Sequence, residues 1–192
     1  MDRSRTRPLT VLAVVLTALA AALVGLAAPA AAAGPSCGLA WGSQPRVLDR
    51  GDTETLNGVR AGRHACYDRL VVDVGGQDAR FGSYAVRYVR QVTADGSGDP
   101  VPLRGGAALE VVVGAPAYGE HGPTYVPRDR AEVVDVTGFR TFRQVAWAGS
   151  FEGRTTLGLG VRGRLPFRVL VLAGTPNTDH TPRLVIDVAH RW

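Results

Sequence analysis

Two hexapeptides decide the reading of this chain: Arg69-Leu-Val-Val-Asp-Val74 and Arg183-Leu-Val-Ile-Asp-Val188. In an extended backbone successive side chains point to opposite faces, so Leu70, Val72 and Val74 share one face, and Leu184, Ile186 and Val188 do the same in the second copy. The other faces carry Arg69, Val71 and Asp73, and Arg183, Val185 and Asp187. Aliphatic and β-branched residues in such alternation are strand chemistry. Five of the six positions are identical between the copies. That likeness predicts equivalent strands in two related sheets, with the outward Arg and Asp pairing across strands for about 0.2–1 kcal/mol.

Outward from these copies, short β-rich runs recur at 83–92, 108–113, 141–148, 154–161 and 167–173, with weaker ones at 40–41 and 131–136. The first copy extends to 67–74. Gly, Pro, Asp and Asn punctuate them, as in Thr93-Ala-Asp-Gly-Ser-Gly-Asp-Pro100 and Gly174-Thr-Pro-Asn-Thr-Asp179, and no stretch keeps helical periodicity over ten residues. Seven or more short strands between turn signals predict an all-β fold, an antiparallel β-sandwich of two similar sheets.

The first 33 residues read differently. Arg3, Arg5 and Arg7 precede an apolar run from Val11 to Leu26, and Ala31-Ala32-Ala33 closes it with a small-residue exit. This is the three-part pattern of a secretory signal peptide, so 1–33 is expected to be removed, leaving 34–192 as one domain in a secreted, extracellular or cell-wall-associated protein. Retention as a membrane anchor is the alternative; on the favoured reading the membrane is met only in transit. Three arginines and one aspartate leave with the signal, taking the formal charge from +5 to +3. That mild balance gives no basis for a nucleic-acid partner and is compatible with an anionic envelope polymer. In an oxidising compartment Cys37 and Cys66 are expected to form a disulfide.

No catalytic constellation emerges. His64, His121, His180 and His190 are scattered, with no zinc-ligand spacing to the glutamates and no G-x-S-x-G elbow, so no metal and no cofactor is expected. The densest chemistry is Gly62-Arg-His-Ala-Cys-Tyr-Asp-Arg69, where His64, Asp68 and Arg69 enter a strand. These three are either a binding corner for a carboxylate or sugar hydroxyl, with arginine as the fork, or a turn in which His64 caps and Asp68 holds backbone amides. Further ligand contacts are sought among Trp41, Arg143, Trp147, which would share a face with Arg143 and Val145, and Tyr118 and Tyr125. The last two lie in the long Pro/Gly-rich loop 114–127, a length that favours function. Trp192, at the chain end, is expected to plug the base of the sandwich.

Three stretches carry a family resemblance: Gly62-Arg-His-Ala-Cys-Tyr-Asp-Arg-Leu-Val-Val-Asp-Val74, Tyr84-Ala-Val-Arg-Tyr-Val89 and Arg183-Leu-Val-Ile-Asp-Val188. Together with residues 139–161 they resemble the AMIN-like domain of actinobacterial exported proteins, a distant relative of the AMIN module of N-acetylmuramoyl-L-alanine amidases. The resemblance covers nearly all of 37–192. It implies a sandwich of two similar sheets and a cell-wall or peptidoglycan-binding role, and it supplies no catalytic residues. The expected function is a non-catalytic module whose partner is a cell-wall polymer. An exported structural or regulatory module that binds an envelope protein is the alternative, and a cell-wall hydrolase a third.

Overall fold

The computed structural model describes residues 37, 38, 40–51, 54–75, 81–175 and 178–192; the expected signal segment 1–33 lies outside them. The described residues form strands and irregular connections, with no helix. The strands are β1 (Arg46–Leu48), β2 (Thr55–Arg63), β3 (Tyr67–Gly75), β4 (Tyr84–Val89), β5 (Val92–Thr93), β6 (Pro100–Val101), β7 (Ala107–Val113), β8 (Tyr118–Gly119), β9 (Gly122–Pro123), β10 (Phe142–Phe151), β11 (Arg154–Val161), β12 (Phe167–Leu172) and β13 (Arg183–Ala189). A five-stranded sheet runs β1-β4-β7-β11-β10 and a four-stranded sheet runs β12-β13-β3-β2, antiparallel throughout. Their inner faces share one core: Leu70, Val72, Ile186 and Phe167 from the second sheet join Val86, Val111, Val145 and Leu157 from the first, all fully buried. The expected β-sandwich is the fold.

The duplicated hexapeptides do line the core with Leu70, Val72 and Val74 and with Leu184, Ile186 and Val188. They are not, however, equivalent strands of two sheets. They are β3 and β13, neighbours in one sheet, with Arg69 opposite Asp187 and Asp73 opposite Arg183. The reason lies in the repeat itself. A strand with Arg at one position and Asp four residues on is its own antiparallel complement, so two copies laid head to tail place opposite charges across from each other at both ends.

β2 escapes sequence reading because its alternation is broken. Leu56, Val59 and Ala61 all face the core, a spacing of three and then two, because the register slips between Leu56 and Gly58. The extra residue, Asn57, folds its side chain over Gly75, where a Cβ would come within 2.0 Å of it. A bulge of this kind hides a strand from any period-2 test. Residues 131–136 are not a strand either. Residues 130–136 run beside the free edge of β10 and make two backbone bonds to it, Val133 N to Val145 O and Trp147 N to Arg130 O, which covers that edge without a ladder. Of 40–42, only Gly42 pairs, in an isolated bridge to Phe167. The 114–127 loop is ordered around the small hairpin β8–β9. Trp192 plugs nothing: it is 73% exposed, tethered by its indole N–H to Arg164 O.

Cys37 and Cys66 form the disulfide, closing 29 residues of sequence separation with Cα atoms 5.5 Å apart. Loop-closure entropy for a loop of this size corresponds to about 3–4 kcal/mol. The double replacement Cys37→Ser/Cys66→Ser is expected to lower the unfolding free energy by about that amount in denaturant titrations, with the far-ultraviolet spectrum of the native state unchanged.

Candidate functional site

The corner that the sequence singles out splits across the two faces of β3, because adjacent residues of a strand point opposite ways. Asp68 points inward and is fully buried. Its Oδ2 accepts the backbone N–H groups of Thr141 at 2.5 Å and Phe142 at 3.1 Å, and its Oδ1 lies 3.1 Å from Nε2 of His190. Thr141 also donates its hydroxyl to Ala189 O. These amides stand 73 and 74 residues along the chain, at the entry to β10, so Asp68 ties one sheet to the other.

Arg69 points outward. Its Nε and Nη2 donate to the two oxygens of Asp187 at 2.6 and 2.9 Å, and Nη2 also reaches the Tyr67 hydroxyl. From the other side, Arg168 Nε donates to Asp187 Oδ2 at 2.8 Å. The register puts Arg168, Asp187, Arg69 and Gly62 in one line across β12, β13, β3 and β2. Asp187 is fully buried beneath two guanidinium groups that keep 25% and 36% of their side-chain surface. Its carboxylate raises the Arg69 guanidinium further above its ordinary value, through the hydrogen bonds first. Gly62 ends the line with open space: a Cβ there would meet only His64 Nε2, at 3.9 Å.

Rings complete the face. His64 stacks on Tyr67 with centroids 4.5 Å apart, and Trp41 lies 5.5 Å from Tyr67. Arg168 lies over Trp41 at 4.4 Å and Arg69 over Tyr67 at 5.3 Å, both cation–π geometry. The disulfide holds this arrangement in place, since Cys66 immediately precedes Tyr67 and Cys37 leads into Trp41. Beside His64 a cleft of about 270 Å³ opens between Arg63 and Arg140, adding positive charge to the rim.

The structure thus brings Trp41, His64 and Arg69 together and adds Tyr67, Arg168 and Asp187, which sequence reasoning did not select as site residues. The Arg69/Asp187 offset within the repeat was the signal for Asp187; Arg168, beside Pro166 and Phe167, carries none. The remaining candidates lie elsewhere. Trp147 is a core residue, with Tyr125 tilted against it at 5.8 Å. Arg143 sits where β10 bulges between Phe142 and Gln144, which turns it off the face of Val145 and Trp147. Its guanidinium instead holds the carbonyls of Phe139, Arg140 and Phe142. Tyr118 is exposed, and its hydroxyl accepts the N–H of Gly153. Among the described residues no cluster of His, Cys, Asp or Glu could hold a metal ion.

Fold and face together define a two-sheet β-sandwich module bearing a preformed arginine–aromatic surface. The chain belongs to the AMIN-like domain family, whose model matches residues 54–190. The match takes in β2 through β13, and so every residue of the arginine line, while Cys37 and Trp41 precede it. Comparison with curated proteins found no match, and comparison with solved structures found none either.

Removing the inner carboxylate tests the split. Asp68→Ala orphans two buried amides, which is expected to cost about 2–4 kcal/mol of stability. Asp68→Asn, which keeps an acceptor oxygen, is expected to cost less. Thermal and denaturant unfolding measure both.

Proposed function

We propose that this protein is an exported, non-catalytic module that binds cell-wall polymer, peptidoglycan or an associated glycan, through the outer arginine–aromatic face of its four-stranded sheet. Membership of the AMIN-like family points to a non-catalytic, cell-wall-associated module, and the disulfide is consistent with export. The observation that carries the reading is the buried Asp187 beneath Arg69 and Arg168. It orients both guanidinium groups and neutralises one of them. Nη1 of Arg69 and both Nη atoms of Arg168 make no hydrogen bond among the described residues, which leaves a single donor nitrogen on Arg69 and a whole fork on Arg168. The Arg168 fork and the neighbouring Arg69 Nη1, both fixed by one carboxylate, suit the carboxylates of an anionic polymer, because bidentate recognition needs a guanidinium plane already held in place. Tyr67 and the edge of Trp41 supply apolar surface for sugar rings beside them.

The test is co-sedimentation of the purified protein with protein-free peptidoglycan sacculi, with the supernatant analysed for released fragments. Saturable pelleting without release is expected, and Arg69→Ala or Arg168→Ala should weaken it roughly 10- to 100-fold, the value of a charge-assisted bond. Pelleting should also fall as salt rises. Absence of pelleting would move the reading to an envelope-protein partner, and released muropeptides would make the protein a hydrolase.

A further inference from the structure

The outer face of the five-stranded sheet carries a separate groove. With Val86, Val111 and Leu157 facing the core, the alternate residues Ala85, Val112 and Thr156 face outward. The register sets Val47, Ala85, Val112 and Thr156 in one line across β1, β4, β7 and β11, with Arg87 opposite Glu110 in the next line. Two clefts, of about 370 and about 440 Å³, lie along this line and share Val112, Glu152 and Arg154. The first has aliphatic walls from Val47, Leu48 and Ala85. The second is lined by Asp95, Glu110, Thr93 and Phe151.

The polar half is short of donors. Asp95 Oδ1 accepts the Thr156 hydroxyl at 3.0 Å, but Oδ2 is buried without a partner. Glu110 is only 8% exposed. Arg87 Nη2 stands 2.7 Å from its Oε2 and forms an ion pair with it, so Asp95 Oδ2 is the acceptor left without a partner here. A buried acceptor in the condition of Asp95 Oδ2 is costly, and beside a cleft it favours a ligand that brings a donor. Charge points the same way: Asp95, Glu110 and Glu152 outnumber Arg87 and Arg154. Phe151 is 51% exposed and lines this cleft. An open aromatic face beside net negative charge is a seat for a cation. A free sugar would satisfy the acceptor too, but it has no use for the aliphatic line that leads away from it, whereas an alkyl chain with small apolar neighbours does.

We propose that this groove binds a short peptide carrying a side-chain primary ammonium, with the ammonium between Asp95, Glu110 and Phe151 and the apolar neighbours along Val112, Ala85 and Val47. The ligand class is read from this lining alone and does not rest on wall binding by the opposite sheet.

The experiment is calorimetric titration of the full chain with N-acetyl-alanyl-lysyl-alaninamide and with its norleucyl isostere, which keeps the alkyl chain and lacks the ammonium. Saturable binding of the lysyl peptide is expected, at least tenfold tighter than the isostere. Asp95→Asn, which retains the acceptor for Thr156, and Glu110→Gln should each remove at least tenfold of that preference, while Glu120→Gln, at an exposed carboxylate outside both clefts, leaves it unchanged. A second readout uses the chain's own lack of lysine. With carbodiimide, the lysyl peptide should couple as an amide to Asp95, Glu110 or Glu152, mapped by mass spectrometry, with only the protein's N-terminal amine competing. Equal binding of the two peptides, no binding of either, or coupling scattered over carboxylates outside the groove would overturn the proposal, whatever the sacculi show.

Discussion

The carboxylate of Asp68 sits at the junction on which the remaining geometry hangs. Burying a charge without compensation costs several kcal/mol, and here two backbone amides and His190 surround it. Those partners come from two places, the entry to β10 in one sheet and the residue after β13 in the other, while Asp68 itself stands on β3. One buried group therefore sets how the two sheets meet at this end. It also sets what happens outside. Asp68 and Arg69 are consecutive, so locking the first inward commits the second outward, directly opposite Asp187. His190 holds the end of β13 against the same carboxylate, so the strand that presents Asp187 cannot slip. The inner clamp and the outer arginine line are two sides of one constraint.

The two outer faces of the sandwich treat charge in opposite ways. On the four-stranded sheet the carboxylate of Asp187 is saturated by guanidinium donors and what remains free are donors. On the five-stranded sheet Asp95 Oδ2 has no donor, and what remains free is an acceptor. A face with spare donors suits anionic groups, and a face with a spare acceptor suits cationic ones.

The fold was largely legible because the core writes itself into period-2 alternation. Leu70, Val72, Val74, Leu184, Ile186 and Val188 were all placed inward from the sequence, and the structure buries every one. The neighbour relation of β3 and β13 was misread, although the Arg-to-Asp offset of four held the answer: it describes an antiparallel pair, not a repeat in separate sheets. β2 was invisible because Asn57 interrupts its alternation and Gly58 and Gly62 lower its strand propensity. Site residues were harder. His64, Arg69 and Trp41 converge, but Arg168 reaches them only through the strand order β12-β13-β3, which no local pattern encodes. Alternation puts Trp147 and Arg143 on one face, but the bulge at Arg143 separates them, with Trp147 in the core and Arg143 against backbone carbonyls.

The covalent loop closed by Cys37 and Cys66 contains both β1, an edge of one sheet, and β2, an edge of the other. Tension applied at the N-terminal side of Cys37 therefore bypasses both edge strands and arrives at Tyr67, the first residue of β3, which is hydrogen-bonded on both sides. Edges normally peel one bond at a time under load, whereas an interior strand must shear against two neighbours at once. A protein held by its N-terminal end while its faces grip something immobile would feel the pull through its mechanically strongest route, and the arginine line lies two residues from where that force enters.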